Sequence, residues 1–252
     1  MIDLHCHILP GVDDGSKNIE QSVKIAINAK QAGFETICCT PHYLEPDYTS
    51  SRKENLKILN ELRYELQKQN ININLVLGNE VYINENASKL LDDEIISTIG
   101  NTNYILMELP LFQEIKYVNQ IFGRVQDKGL KIILAHPERY RYVQENPNIL
   151  INYIESGLIL QGNYASIIGK YGDEAKKTIK KILRAKMIHL LASDVHRENS
   201  IYNKMDIIKE KINDIVDEDY FHRITEINPI RIINNESVEK FEYKKIKKSL
   251  FF

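Results

Sequence analysis

The chain has 252 residues, 43% of them hydrophobic, and a net charge of -2, which suits one large α/β domain or two small ones with a sizeable core. The near-zero charge argues against a general nucleic-acid binder, which carries a basic excess. No apolar run approaches the ~20 residues that span a bilayer, and polar residues from Asp3 onward argue against a signal peptide, so a cytoplasmic protein with no direct membrane insertion is expected.

In chain order, short apolar runs alternate with longer stretches of helical period. Strands are expected at Ile2 to His5, Phe34 to Thr40, Ile73 to Gly78, Tyr104 to Leu109, Lys131 to Ala135, Leu158 to Gln161 and Ile188 to Ala192. Helices are expected at Ile19 to Ala32, Arg52 to Gln69, Gln113 to Lys128 and Glu174 to Ala185. The first helix carries the stripe Ile19, Val23, Ala26, Ile27, and Gly33 follows as its C-terminal cap. Strand-helix alternation implies parallel strands, either doubly wound or closed as a barrel. With no repeat and no low-complexity linker, residues 1–252 read as a single domain, its core at about 1–216 and C-terminal helices and a basic tail at 217–252. That tail sets Lys240, Lys244, Lys245, Lys247 and Lys248 around Phe241 and Tyr243, and reads as a solvated end rather than a contact for an anionic partner.

Each strand ends in a residue with metal-binding chemistry. The first gives His5 and His7, the second His42, the third Glu80, the fourth Glu108, the fifth His136, and the seventh Asp194 and His196. An open sheet would spread these ends along a wide edge, whereas a (β/α) barrel brings them to one face. The recurrence therefore favours a barrel with a metal site at the C-terminal ends of its strands. His5-x-His7 puts two imidazoles on one side of a strand. Carboxylates buried together beside them need cations to offset the cost. The number of ligands points to two or three ions, with neighbours roughly 3.5–4 Å apart where carboxylates bridge them. A lone histidine is usually a packed or surface residue, and His189 and His222 keep that reading. Cys6, Cys38 and Cys39 are odd in number, have no arginine six positions on, and read as packing residues.

The segments Asp3-Leu4-His5-Cys6-His7, Thr40-Pro41-His42, Gly78-Asn79-Glu80, His136-Pro137-Glu138-Arg139-Tyr140 and Ser193-Asp194-Val195-His196 together resemble the ordered motifs of the polymerase and histidinol phosphatase (PHP) superfamily. The turn Leu9-Pro10-Gly11-Val12-Asp13-Asp14-Gly15 further resembles bacterial PHP-type protein-tyrosine phosphatases of capsule and exopolysaccharide operons. The resemblance runs from residue 1 to about residue 216. It implies a distorted (β/α)7 barrel and a trinuclear, manganese-loaded site held by His5, His7, His42, Glu80, Glu108, His136, Asp194 and His196. Asp14 matches the acidic residue of the first turn, as a ligand or catalytic group; the alternative is an Asx-type turn beside Gly15, a role that suits Asp13 better.

Arg139, just past His136, is placed to grip a phosphate with its planar fork; the alternative is a surface salt bridge with Glu138 or another acid. Relatives often carry a second arginine five positions after the last histidine. Here Ile201 occupies that position, and Arg197 is the candidate substitute.

The implied reaction is metal-dependent hydrolysis of a phosphoric monoester without a phosphoenzyme. A tyrosine phenol, pKa about 10, is a good leaving group. The His and carboxylate set without thiolates also suits Fe, Co or Zn. The implied partner is a tyrosine-phosphorylated protein, a bacterial tyrosine autokinase controlling capsule or exopolysaccharide synthesis. A histidinol-phosphate or other small-molecule phosphatase is the competing enzyme. A catalytically silent binding protein fits less well, because every expected ligand position is filled. Oligomeric state is left open by the sequence.

Overall fold

The computed structural model describes residues 1–199 and 201–247. Its strands are β1 (Ile2–Cys6), β2 (Thr36–Cys39), β3 (His42–Tyr43), β4 (Asn74–Leu77), β5 (Glu80–Tyr82), β6 (Tyr104–Glu108), β7 (Lys131–Ala135), β8 (Ile159–Asn163) and β9 (Leu190–Ala192). One sheet has the order β1-β2-β4, the other β3-β5-β6-β7-β8-β9, and every pairing is parallel.

The two sheets are arcs of one ring. β2 runs on into β3 and β4 into β5, with breaks at Thr40-Pro41 and Gly78-Asn79. Proline lacks the N–H a ladder needs. Gly78 sits where a Cβ would lie 2.9 Å from Ile99 Cδ1 and 3.0 Å from Cys38 Sγ, so the strand can bend there only around a bare Cα. Joined across those breaks, the segments make seven strands. The first and last meet where Asp194 N–H donates to His5 O at 2.8 Å and His7 N–H to Val195 O at 2.9 Å. The fold is thus a (β/α) barrel, which the recurrence of His and carboxylate residues at strand ends favoured over a doubly wound sheet, with the distortion that the family resemblance implied. An apolar cluster takes Leu4, Cys38, Leu106, Ile133, Ile159 and Leu190 from six strands and fills the ring beneath the strand ends.

The surrounding helices form for local reasons. Ile19–Gln31 starts at Asn18, whose side chain accepts from Gln21 N–H, and the chain leaves through Gly33 at φ +89, a left-handed exit glycine tolerates best. Arg52–Lys68 has a Ser51/Glu54 capping box and buries Leu59, Leu62 and Leu66, each worth roughly 1.5–3 kcal/mol of apolar burial. Asp173–Arg184 buries Ile179, Ile182 and Leu183. The expected helix over 113–128 begins only at Val118. Its buried stripe (Val118, Ile121, Phe122, Val125) starts there, and the preceding loop leaves Phe112 81% exposed.

The tail departs from its expected solvated state. Lys244 N–H donates to Ala185 O at 2.8 Å, Ile246 N–H to Asn148 Oδ1 at 2.9 Å, and Tyr104 OH to Glu236 O. The Phe241 ring meets Tyr220 edge-on at 4.7 Å. Aromatic and aliphatic residues between the lysines give this segment an apolar side, which a charge count hides. It forms a strap across the face of the barrel opposite the strand ends; Lys248 lies outside the described residues. Cys6, Cys38 and Cys39 are buried free thiols, and burial pushes all three up, as packing residues require. No helix among the described residues is long and apolar enough to cross a membrane.

Candidate metal centre

The strand ends converge as their sequence recurrence implied. Among the described residues three overlapping groups bring ligand atoms within 4.8 Å of one another: His7, Asp14, His42, His196; His5, His7, Glu80, Asp194; and His42, Glu80, Glu108. His136, the remaining expected ligand, points Nε2 at Glu80 Oε1 (3.0 Å) and Glu108 Oε1 (3.5 Å). His189 and His222 stand elsewhere, His189 buried at the far face and His222 exposed near Glu226.

The donor set tests whether cations fit. Glu80 Oε2 is buried and makes no hydrogen bond, yet it lies 3.1 Å from His5 Nε2, 3.2 Å from His7 Nε2 and 3.2 Å from His42 Nδ1. Atoms that share an ion at about 2.0–2.2 Å are spaced in this way. The Nδ1 atoms of His42 and His136 are also buried without hydrogen bonds. These residues fit a metal cluster.

Charge in the centre follows proximity. Burial opposes ionisation, but the carboxylates of Glu80 and Asp194 outweigh it and push His5 up to about 9. Burial likewise opposes charge on Glu80 and Asp194, and the histidines, His5 foremost, hold both well below the usual carboxylate range. Glu108 is pushed up to about 8 by burial and by the neighbouring Glu80, against the pull of Arg139. Burial and Arg139 hold His136 down at about 4. His136 and Asp194 also take left-handed backbone angles, φ +30 and +53, each costing on the order of 1–3 kcal/mol for a residue with a Cβ. Strain of this kind concentrates at functional sites.

Several supporting residues escaped the sequence reading. Asp13 does form the turn, with Oδ1 accepting from Gly15 N–H at 2.8 Å. Its Oδ2 also accepts from His7 Nδ1 (2.7 Å) and from His42 N–H (2.9 Å), so it orients two candidate ligands. Burial opposes its charge, but His7 holds it far below the usual range. Gln161 Oε1 meets His5 Nδ1 at 2.8 Å. Asp194 Oδ2 accepts from Asn163 Nδ2 (2.9 Å), Tyr171 OH (3.1 Å) and Arg139 Nη1 (2.8 Å), which leaves Oδ1 facing the imidazoles. Two polar residues at alternate positions of an otherwise apolar strand, Gln161 and Asn163, were the available signal. Lys170 and Tyr171 lie in a loop with no motif to mark them.

The centre opens into a cavity of about 340 Å³ whose walls include Arg139, Lys170, Tyr171 and Arg197. Arg139 stacks on Tyr171, 4.3 Å from the ring centroid. Burial works against its charge and Asp194 restores it. Its ion pair is with Asp194, not Glu138, because Glu138 is buried and Oε1 accepts from Asn163 N–H and Ser166 OH. Arg197 donates through Nη1 to the carbonyls of Asp14, Gly15 and His196 and so braces the 13–15 turn. Asp14 Oδ1 lies 3.4 Å from His196 Nε2 and 3.7 Å from His42 Nε2. Ile201 is buried in the core.

Known proteins are similar to this chain in sequence and in fold. CapC of Staphylococcus aureus is 31% identical over 243 residues, covering 95% of this chain and 94% of the relative. The tyrosine-protein phosphatase YwqE of Bacillus subtilis is 34% identical over 196 residues, 78% of this chain and 77% of the relative. Among solved structures, the metal-dependent tyrosine phosphatases YwqE of Bacillus subtilis and CpsB of Streptococcus pneumoniae provide a match with TM-score 0.89 at 29% identity, covering 98% of this chain and 100% of that one. The family model for capsular polysaccharide synthesis CpsB/CapC proteins matches residues 1–234, and the chain belongs to that family.

Proposed function

We propose that this protein is a manganese-dependent protein-tyrosine phosphatase that hydrolyses phosphotyrosine on a partner protein, a bacterial tyrosine kinase of capsule or exopolysaccharide synthesis. The observation that carries the reading is Glu80 Oε2, buried without a hydrogen bond among three imidazole nitrogens at 3.1–3.2 Å. In this reading the cluster is held by His5, His7, Asp14, His42, Glu80, Glu108, His136, Asp194 and His196. The whole chain, 1–252, works as one unit, in the cytoplasm.

When bound, the ions supply positive charge to the phosphoryl group and lower the pKa of water in the site. The protein's own residues position and balance. Asp13 and Gln161 accept from the Nδ1 atoms of His7 and His5, which leaves Nε2 as the lone-pair donor in each ring. Arg139 is held at the cavity wall by Asp194 and Tyr171, where it offers its remaining N–H groups to phosphate oxygens. Lys170 adds a second positive charge to the same cavity. Arg197 acts mainly by fixing the turn that carries Asp14. Because a phenolate leaves readily, no protein acid is needed on the leaving oxygen.

The test is a turnover comparison between a phosphotyrosine peptide and histidinol phosphate on the same metal-loaded protein. Preference for the peptide supports the reading. Preference for histidinol phosphate assigns the site to small-molecule hydrolysis, and turnover of neither leaves a binding protein.

A further inference from the structure

The face of the barrel opposite the metal centre holds a second cavity, of about 230 Å³, roofed by Ser237, Val238 and Lys240 of the C-terminal strap. It lies at the starts of the strands. Tyr104 opens β6, whose other end is Glu108, and His189 precedes β9, beyond which comes Asp194.

Three features give this cavity a chemical preference. First, Lys131 and Lys240 line it, and neither makes an ion pair among the described residues. Among the described residues Lys131 Nζ meets neutral groups, Tyr104 OH at 3.3 Å, Ser237 Oγ at 3.5 Å and the face of the Tyr104 ring, 4.9 Å from its centroid. Among the described residues no carboxylate lines the cavity. Second, His189 is 4% exposed, and its Nδ1 accepts from Leu160 N–H at 3.1 Å. That bond assigns the ring proton to Nε2, which has no hydrogen-bond partner among the described residues. The residue lines the cavity and its Nε2 keeps some solvent access, so a ligand oxygen can accept from it there. Third, the remaining walls are apolar: Ile154, Leu158, Ile159 and Val238. Burial and Lys240 hold His189 down at about 4, so it is a neutral donor at physiological pH.

We propose that this cavity binds a small organic anion, a carboxylate or phosphate on a compact apolar body, through Lys131, Lys240 and the His189 Nε2–H. Such a ligand touches the barrel and the strap at once and fastens one to the other. Neither lysine touches the metal centre, so the site is independent of the phosphatase reading.

The test titrates para-fluorobenzoate and para-fluorophenylphosphonate into the full chain, with binding read by fluorine NMR. At least one probe should bind saturably, and which one does so separates the carboxylate from the phosphate source. Affinity should fall about ten- to a hundred-fold in Lys131→Gln/Lys240→Gln and stay at the parent value in His136→Ala. Val238→Trp, which fills the cavity from the strap and keeps both charges, should abolish binding and guards against a misfolded double variant. Absence of saturable binding, parent-like affinity in the folded double variant, or loss confined to His136→Ala would each overturn the proposal.

Discussion

Asp13→Asn isolates the contribution of a residue that touches no substrate. The carboxylate takes three hydrogen bonds with two oxygens: Gly15 N–H on Oδ1, and His7 Nδ1 with His42 N–H on Oδ2. An asparagine has one acceptor oxygen. It must abandon either the turn or the His7/His42 pair, and in the second case its NH₂ faces the His7 Nδ1–H. The imidazole then shifts its proton to Nε2, the atom that faces Glu80 and Asp194. Loss of such a supporting partner typically costs ten- to a hundred-fold in metal affinity, about 1.4–2.7 kcal/mol. A chelator-competition titration on stripped protein measures this directly. Turnover at saturating metal should recover most of the loss, since no group of the cavity wall has changed. Parent-like metal affinity in a folded Asp13→Asn protein would refute the orienting role and reduce Asp13 to its turn.

Three further outcomes are expected. Arg139→Ala should keep its metal content and lose about ten- to a hundred-fold in kcat/KM on a phosphotyrosine peptide, the effect of a missing charge-assisted contact; Arg139→Lys should recover only part, and Arg197→Ala should lose less, with its effect on the 13–15 turn. His136→Ala should lower metal content and turnover together, whereas Cys6→Ser, Cys38→Ser and Cys39→Ser should retain turnover in whatever fraction stays folded. The buried His189, held at about 4 against an ordinary 6.5, means that the unfolded chain binds its proton first as pH falls. The neutral ring therefore contributes about 3 kcal/mol above pH 6.5, lost progressively toward pH 4. The drop in melting temperature from pH 7 to pH 5 should be smaller in His189→Asn, which keeps an acceptor for Leu160 N–H; an equal drop would exclude His189 as the source.

The barrel and the convergence of its strand-end histidines and carboxylates were legible because both follow from order along the chain. Strand ends recur at fixed places between helices, and parallel strands must present those ends on one face. His42 and Glu80 show the limit. They sit on strand continuations beyond Pro41 and Gly78, so the sequence places them at strand ends but not on strands of their own. Contacts between distant segments were not legible. Nothing local to Arg139 names Asp194 as its partner, 55 positions away, or Tyr171 as its stacking surface. Arg197 read as a phosphate clamp from its neighbour His196, yet the carbonyls that occupy its Nη1 belong largely to a turn some 180 residues earlier. The strap was misread for a different reason, its lysines masking the apolar side set by Phe241.

Phosphotyrosine-peptide turnover, followed as manganese is returned stepwise to fully stripped protein with bound metal counted in parallel, tests the central claim most directly. The account predicts no turnover without metal, a rise that tracks occupancy and saturates at two or three ions per chain, and the best restoration by manganese among common divalent ions. Full turnover by protein verified as metal-free would contradict it.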